Sequence, residues 1–413
     1  MKTMLLLVFF LSESLWALTP PTDVETTGTL PKGVFSPRFR QYYTEVSDRF
    51  ANAGSIEPLS QGLKQQVKWQ QVLNQFSGQK LLNAKSSLQA MGVDPLNGSP
   101  GNVDADLNVS MDIKAPVLAY GYNDRTSLAI VIPVYTVKTS LATSFLPNAQ
   151  AKAWFAANPS PSQKQEIKNL ADNAVATILS DYNYKPLESE DFTAVGDIYF
   201  VVKRQVYEDK QHSLLWKNYL VAPTGIAPDA DKVVDIPTGD GQWDYQTGLV
   251  YQYDDPLARI GMPMTYSLNF MYNYQFADTI EKRIPEEAGS PLSREKETLD
   301  RKLGDEVWLS AGIEAGDSSD GSLFGFSYDY QYAFPVSYSG SAYESFRYRW
   351  LEELEGEAQL TSATFKYQYS TIGAFRRKKF DLPAKFMLSY AMPIDGKNTN
   401  KTEIYYGQIT LYF

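Results

Sequence analysis

One histidine, His212, and no cysteine limit the chemistry open to this 413-residue chain. Metal sites and nucleophile–base pairs mostly need several imidazoles, or an imidazole beside a thiol, so no metal centre, cofactor or Ser-His constellation is expected. A carboxylate pair is the remaining acid–base option. Asp244 and Asp254 lie ten positions apart on one predicted strand, too far at ~3.3 Å per residue to share a proton. A net charge of −10 gives no basic footprint for nucleic acid. The expectation is a protein that is not an enzyme, with its polar side chains put to some other use.

The elements that carry those side chains show in the ring content. Tyr, Phe and Trp make up 14% of the chain, yet mean hydropathy is −0.33. A chain polar inside and apolar outside has both properties. Period two recurs along the sequence. Tyr266, Leu268, Phe270, Tyr272 and Tyr274 alternate with Ser267, Asn269 and Asn273, and Phe324, Phe326, Tyr328 and Tyr330 alternate with Gly325, Ser327 and Asp329. Strict alternation is a strand with one apolar face. These runs match the ~9–11 residues that cross a bilayer at a tilt, and a span in lipid must close into a barrel.

Candidate strands fall at 34–50, 106–122, 126–145, 193–207, 213–223, 242–254, 263–277, 305–315, 322–338, 358–375, 384–393 and 402–413. The fold class is all-β: a transmembrane antiparallel β-barrel of about twelve strands, fourteen if one loop is misread, with helical segments in long extracellular loops. Short turns alternate with long loops, the pattern of outer-membrane barrels with both termini on the short-turn, periplasmic side. Residues 1–17 read as a secretory signal peptide cut near Ala17, and 18–413 as a single barrel domain. Helical insertions are expected near 60–91 and 150–182, the first carrying Leu63, Val67, Val72, Leu73 and Phe76 and the second Ile167, Leu170, Ala174 and Ile178. Whether 51–105 plugs the pore or caps it outside stays open. The charged loop from Glu281 to Glu306 reads as a solvated face.

The alternation sorts the candidate site residues into two sets. Asp112, Lys114, Asp244, Gln246, Asn269, Asn273, Glu314, Asp329 and Lys366 are expected to line a pore, their mixed signs arguing against a strongly ion-selective ring. Tyr266, Phe270, Tyr272, Tyr274, Phe324, Phe326, Tyr328, Tyr330 and Phe413 are expected to form the lipid-facing girdle. Trp69, Phe76, Trp154 and Phe155 could line an apolar mouth or simply form loop cores.

Two stretches carry family resemblances. The ending Tyr405-Tyr406-Gly407-Gln408-Ile409-Thr410-Leu411-Tyr412-Phe413 resembles the terminal strand by which the barrel-assembly machinery recognises bacterial outer-membrane proteins. Pro223, Thr224, Gly225, Gly239, Gly241, Trp243 and Asp244 resemble a motif of outer-membrane barrels of the phenol-degradation (MetA-pathway) type, relatives of the fatty-acid transporters; Phe39 to Leu63 resembles their first strand and loop. The resemblance implies passive uptake of small hydrophobic or aromatic molecules, with outer-membrane lipid, the assembly machinery and a small solute as partners. The alternative is a structural or surface-interaction barrel with no transport path. The facing assignment is testable: Tyr272→Asp should block stable barrel formation, whereas Asn273→Ala should leave a heat-modifiable barrel on a gel. Equal tolerance of the two would refute it.

Overall fold

A computed structural model describes residues 18–73, 77–157, 174–255, 262–289, 292–317 and 321–413; the expected signal peptide and Ile167, Leu170 and Phe76 lie outside the described residues. Twelve antiparallel strands form a closed wall. They are β1 (Phe35–Val46), β2 (Gly101–Asn123), β3 (Thr126–Val131 and Val134–Pro147), β4 (Asp191–Val195 and Ile198–Glu208), β5 (His212–Ala222) and β6 (Asp244–Asp255), then β7 (Met264–Gln275), β8 (Glu306–Gly316), β9 (Gly321–Ala333), β10 (Ala358–Ser370), β11 (Ala384–Lys397) and β12 (Glu403–Leu411). Each strand pairs with its neighbours in sequence, and β1 closes the ring by pairing with both β2 and β12. Past β12, Phe413 exchanges two backbone hydrogen bonds with Phe35, and the Tyr412 amide donates to Pro383. The terminal phenyl is therefore fixed at the short-turn rim with 67% of its surface exposed.

The outer surface is a band of rings and aliphatic chains. Phe39, Tyr266, Phe270, Tyr274, Phe324, Phe326, Tyr328, Tyr330, Leu388 and Ile409 are all exposed, while residues of opposite parity on the same strands are mostly buried. Tyrosines mark the band's edges. At the long-loop end the hydroxyls of Tyr43, Tyr272 and Tyr390 donate to Glu45, Asp305 and Glu403, and at the short-turn end Tyr207 donates to Asp209. Each ring keeps its body against hydrocarbon and its hydroxyl on a carboxylate nearer the water.

Above Pro116 the rule reverses on one flank, and this corrects two expected pore residues. In β2 the residues Val103, Ala105, Leu107, Val109 and Met111 are buried on the inner side, while Asp112 and Lys114 share the outward row of Leu118 and Tyr120. Lys114 and Asp112 pair with each other on the outer surface, and Gln41 donates to Asp112. The physical reason is that β2 and β3 rise past the band. Outside it water covers the outer face, and the inner face packs loop side chains. Period two gives two rows but does not say which faces inward.

The loops follow from this. The expected helix at 60–91 is divided into a 3-10 turn (Leu59–Leu63), a short strand (Gln65–Val67) pairing with the start of β2, and helices α1 (Trp69–Leu73) and α2 (Gly78–Ala90). With α3 (Ala149–Ala157) and α4 (Ala174–Asp181) they cover the inner face of β2 and β3. Trp69 and Trp154 meet edge to face at 5.3 Å in that cluster, so they are loop core. The charged loop expected to be a solvated face is instead folded. Asp278–Arg283, Lys296–Lys302 and Ser337–Ser339 form a small sheet, which packs with α5 (Ser345–Glu355) around Ile284, Leu299 and Leu351. Arg283 and Arg301 in this unit are buried, and each is paired. Arg283 donates to the carbonyls of Tyr182, Asn183, Ala230 and Ser293 and to Asp231, and Arg301 donates to Asp278.

Candidate functional site

The wall encloses a polar lumen, and a segment ahead of β1 occupies it. Leu18 lies at the long-loop end among Phe50, Ala333, Ala358 and Leu360. From there the chain descends to the short-turn end, where the Lys32 amide donates to Asp124 and Gly33 to the Gly121 carbonyl. The expectation that the chain enters on the short-turn side holds for β1 but not for this segment, and the plug is not the 51–105 region that sequence singled out.

The composition of the segment explains how it crosses without a sheet partner. Pro20 and Pro21 have no amide hydrogens to leave unpaired. The carbonyls of the segment accept from wall side chains: Thr19 from Gln331 at 2.7 Å, Pro21 from Thr364 at 2.5 Å and Thr22 from Ser389 at 2.5 Å. Lower down, the Thr27 amide and the Leu30 amide donate to Gln252 and Ser127. Val24 sits in a notch made by two wall glycines; a Cβ on Gly312 would meet Val24 Cγ1 at 2.6 Å and one on Gly325 would meet Cγ2 at 3.1 Å.

Two carboxylates lock the segment electrostatically. Glu25 pairs with Lys203 at 2.8 Å and with Lys217, whose side chain is 1% exposed. Asp23 pairs with Lys366 at 2.7 Å, and Lys366 also pairs with Glu314 at 2.7 Å. The wall lysines on β4, β5 and β10 thus find counter-charges on a chain that is not part of the wall.

The structure separates the remaining charges along the axis. Arg38, Arg40 and Lys385 lie on the inward rows towards the short-turn end, Arg40 donating to Gln408. Asp240, Asp244 and Glu306 lie at the long-loop end, where Gln242 donates to Asp244 and Gln275, and Gln275 to Glu306. Burial, offset in part by the Gln242 amide and reinforced by Asp197, pushes the loop carboxyl of Asp240 up to about 6. Of the pore residues expected from sequence, Asp244, Gln246, Asn269, Asn273, Glu314, Asp329 and Lys366 stand on inward rows. Asp329 accepts from Ser327, and Asn273 donates to Glu306. Sequence missed the plug, Lys217 and Arg38; the available signal was a proline-bearing stretch with two acids ahead of a wall rich in inward lysines.

Among the described residues, two adjacent wall strands are broken at the same level. β3 breaks at Ile132-Pro133 and β4 at Gly196-Asp197, beside Pro116 of β2. A repeated Pro-Thr-Gly motif braces the break from within. The Thr224 hydroxyl donates to the Gly196 carbonyl at 2.7 Å, the Thr238 hydroxyl to Val195 at 2.9 Å, and the Gly225 amide to Asp197 at 2.9 Å. His212, by contrast, lies outside the lumen, its Nδ1 2.7 Å from the Tyr251 hydroxyl.

Fold and lumen together define a plugged membrane-spanning β-barrel of the outer-membrane type. No family model matches the sequence, and no curated protein does. Among solved structures, an outer membrane channel from Pseudomonas putida F1 is similar over 95% of this chain and all of its own, with a TM-score of 0.51 and 11% identity. The Ralstonia pickettii toluene transporter TbuX aligns over 99% of both chains at a TM-score of 0.35 and 10% identity. The first likeness supports the fold, and the second is too distant to add to it.

Two outcomes follow. Glu25→Gln leaves Lys217 buried without its counter-charge and should cost about 3 kcal/mol, the low end for a broken buried pair because Glu25 keeps 22% of its side-chain surface exposed. The temperature at which the folded band disappears on a gel should fall accordingly. For Asp240 the raised value means that, between about pH 4 and 6, the unfolded chain ionises while the folded one keeps its proton. Its contribution therefore falls as pH rises through that window and stays lost above it. Asp240→Asn should flatten the pH dependence of thermal stability between 4 and 6.

Proposed function

We propose that this barrel sits in the bacterial outer membrane and lets small, uncharged, predominantly hydrophobic or aromatic molecules pass passively. One observation carries the reading: the lumen holds a segment bonded to the wall from Leu18 to Leu30, which leaves no wide water path for hydrophilic solutes. A barrel of about twelve strands has little interior to spare once a chain runs through it. The braced interruption near Pro133 and Gly196 is where the wall ladder is least continuous, and so where a lipid-soluble molecule would meet the least resistance to passing between lumen and bilayer. The outer membrane channel of similar fold agrees with a passive path through the barrel. Membrane partners on this reading are the surrounding lipid and, through β12 and Phe413, the assembly machinery.

A second reading rests on the folded cap. A surface-interaction barrel would use the sheet and α5, which have a core of their own. Flux separates the two. Vesicles carrying the intact protein should admit small apolar solutes and exclude sugars, and deleting residues 18–30 should raise single-channel conductance severalfold. Sugar permeation through the intact protein would overturn the plugged-channel reading, and the absence of any flux before and after deletion would favour the surface role.

A further inference from the structure

The turn between β10 and β11 differs from every other described short turn. It reads Thr371-Ile-Gly-Ala-Phe-Arg-Arg-Lys-Lys-Phe-Asp-Leu-Pro383 and places Arg376, Arg377, Lys378 and Lys379 in succession, all exposed, with Asp381 the one acid in it. In a chain of net charge −10 this is a concentrated positive patch. The other described connections at that end are mixed or acidic, with Asp124 beside Arg125, and Glu208 and Asp209 beside Lys210.

The patch is preformed. The Thr371 hydroxyl donates to the Leu382 carbonyl at 2.7 Å and accepts from the Ala384 amide at 2.9 Å, pinning both ends of the turn. Helix α6 (Ile372–Arg376) and the bonds from Arg377 to Gly373 and from Lys379 to Ala374 fold the middle. Lys378 takes the left-handed conformation at φ 57°. A backbone so constrained holds the basic side chains together.

Apolar neighbours specify the partner. Phe375, Phe380 and Leu382 are exposed at 42%, 49% and 38%, and they lie just beyond the lipid-facing rows of Tyr367 and Tyr369 on β10 and Phe386 and Leu388 on β11. Rings at the hydrocarbon edge with basic heads one step further out match the layering of an acyl chain and its phosphate. We infer that this turn binds the phosphates of anionic glycerophospholipids in the leaflet at the short-turn end. Guanidinium groups supply paired donors for phosphate oxygens and the lysines add point charge. A soluble acidic protein would complement the charge equally but would gain nothing from phenyl rings set level with the membrane.

The test uses the full mature chain purified in micelles holding equal amounts of phosphatidylglycerol and phosphatidylethanolamine, with retained lipid counted by native mass spectrometry. The intact protein should retain phosphatidylglycerol several-fold over phosphatidylethanolamine. The Arg376→Gln, Arg377→Gln, Lys378→Gln, Lys379→Gln variant should lose at least two thirds of that preference while staying heat-modifiable, and Lys210→Gln should keep it. If the fourfold variant does not fold, Arg376→Gln and Lys379→Gln singly should each reduce the preference. Equal retention of the two lipids by the intact protein, or an unchanged preference in the variants, overturns the inference, as does binding of a polyglutamate peptide with no lipid selectivity.

Discussion

A strand in hydrocarbon has no water to satisfy its amides and carbonyls, so every one of them must be answered by another strand. The rest of this molecule follows from that constraint. It requires β1 to pair with β12, and it draws the last residue, Phe413, into the ladder beside Phe35. It also divides each strand into an outer row selected for lipid and an inner row shut inside a cylinder. Where β2 and β3 leave the hydrocarbon the constraint lapses. The polarity of the two rows then exchanges, and the wall packs loop helices as an ordinary sheet would.

Closure creates a second problem, an interior of polar and charged groups partly removed from bulk water. Lysines at 203, 217 and 366 would be costly there without counter-charges. Asp23 and Glu25 supply them, so the segment that blocks the lumen also satisfies it. Hydroxyls of Thr364 and Ser389 and the amide of Gln331 serve its carbonyls in the same way. Removing the plug would therefore do more than open a path; it would leave Lys203 and Lys217 without Glu25 and Lys366 with Glu314 alone.

What could be read beforehand was whatever has a local period. The twelve strands lie close to the ranges that alternation gives, with differences where proline or glycine interrupts: β3 at Pro133, β4 at Gly196, and β9, which ends at Ala333 before Pro335. The exposed rows of rings were legible for the same reason. Inside and outside were not legible for Asp112 and Lys114, because alternation is unchanged when a strand leaves the membrane. The plug was illegible too. Thr19 to Leu30 has no period, and its decisive contact, Glu25 with Lys203, spans 178 positions. Arg301 and Arg283 lie in a run that looks solvated and becomes buried only once partners from distant loops arrive.

The layout of charge bears on what kind of solute suits this lumen. Acids gather at the long-loop end, bases at the short-turn end, and paired lysines lie between. An ion entering the lumen meets polar groups of both kinds in a medium of low effective permittivity, where desolvation is costly. A hydrated ion would in addition have to shed water against a wall whose donors and acceptors already serve the plug. A neutral molecule interacts weakly with both ends and needs only space beside Val24 and along the wall. On the proposed reading the arrangement would discriminate by charge before shape, through groups whose first task is to hold the plug in place.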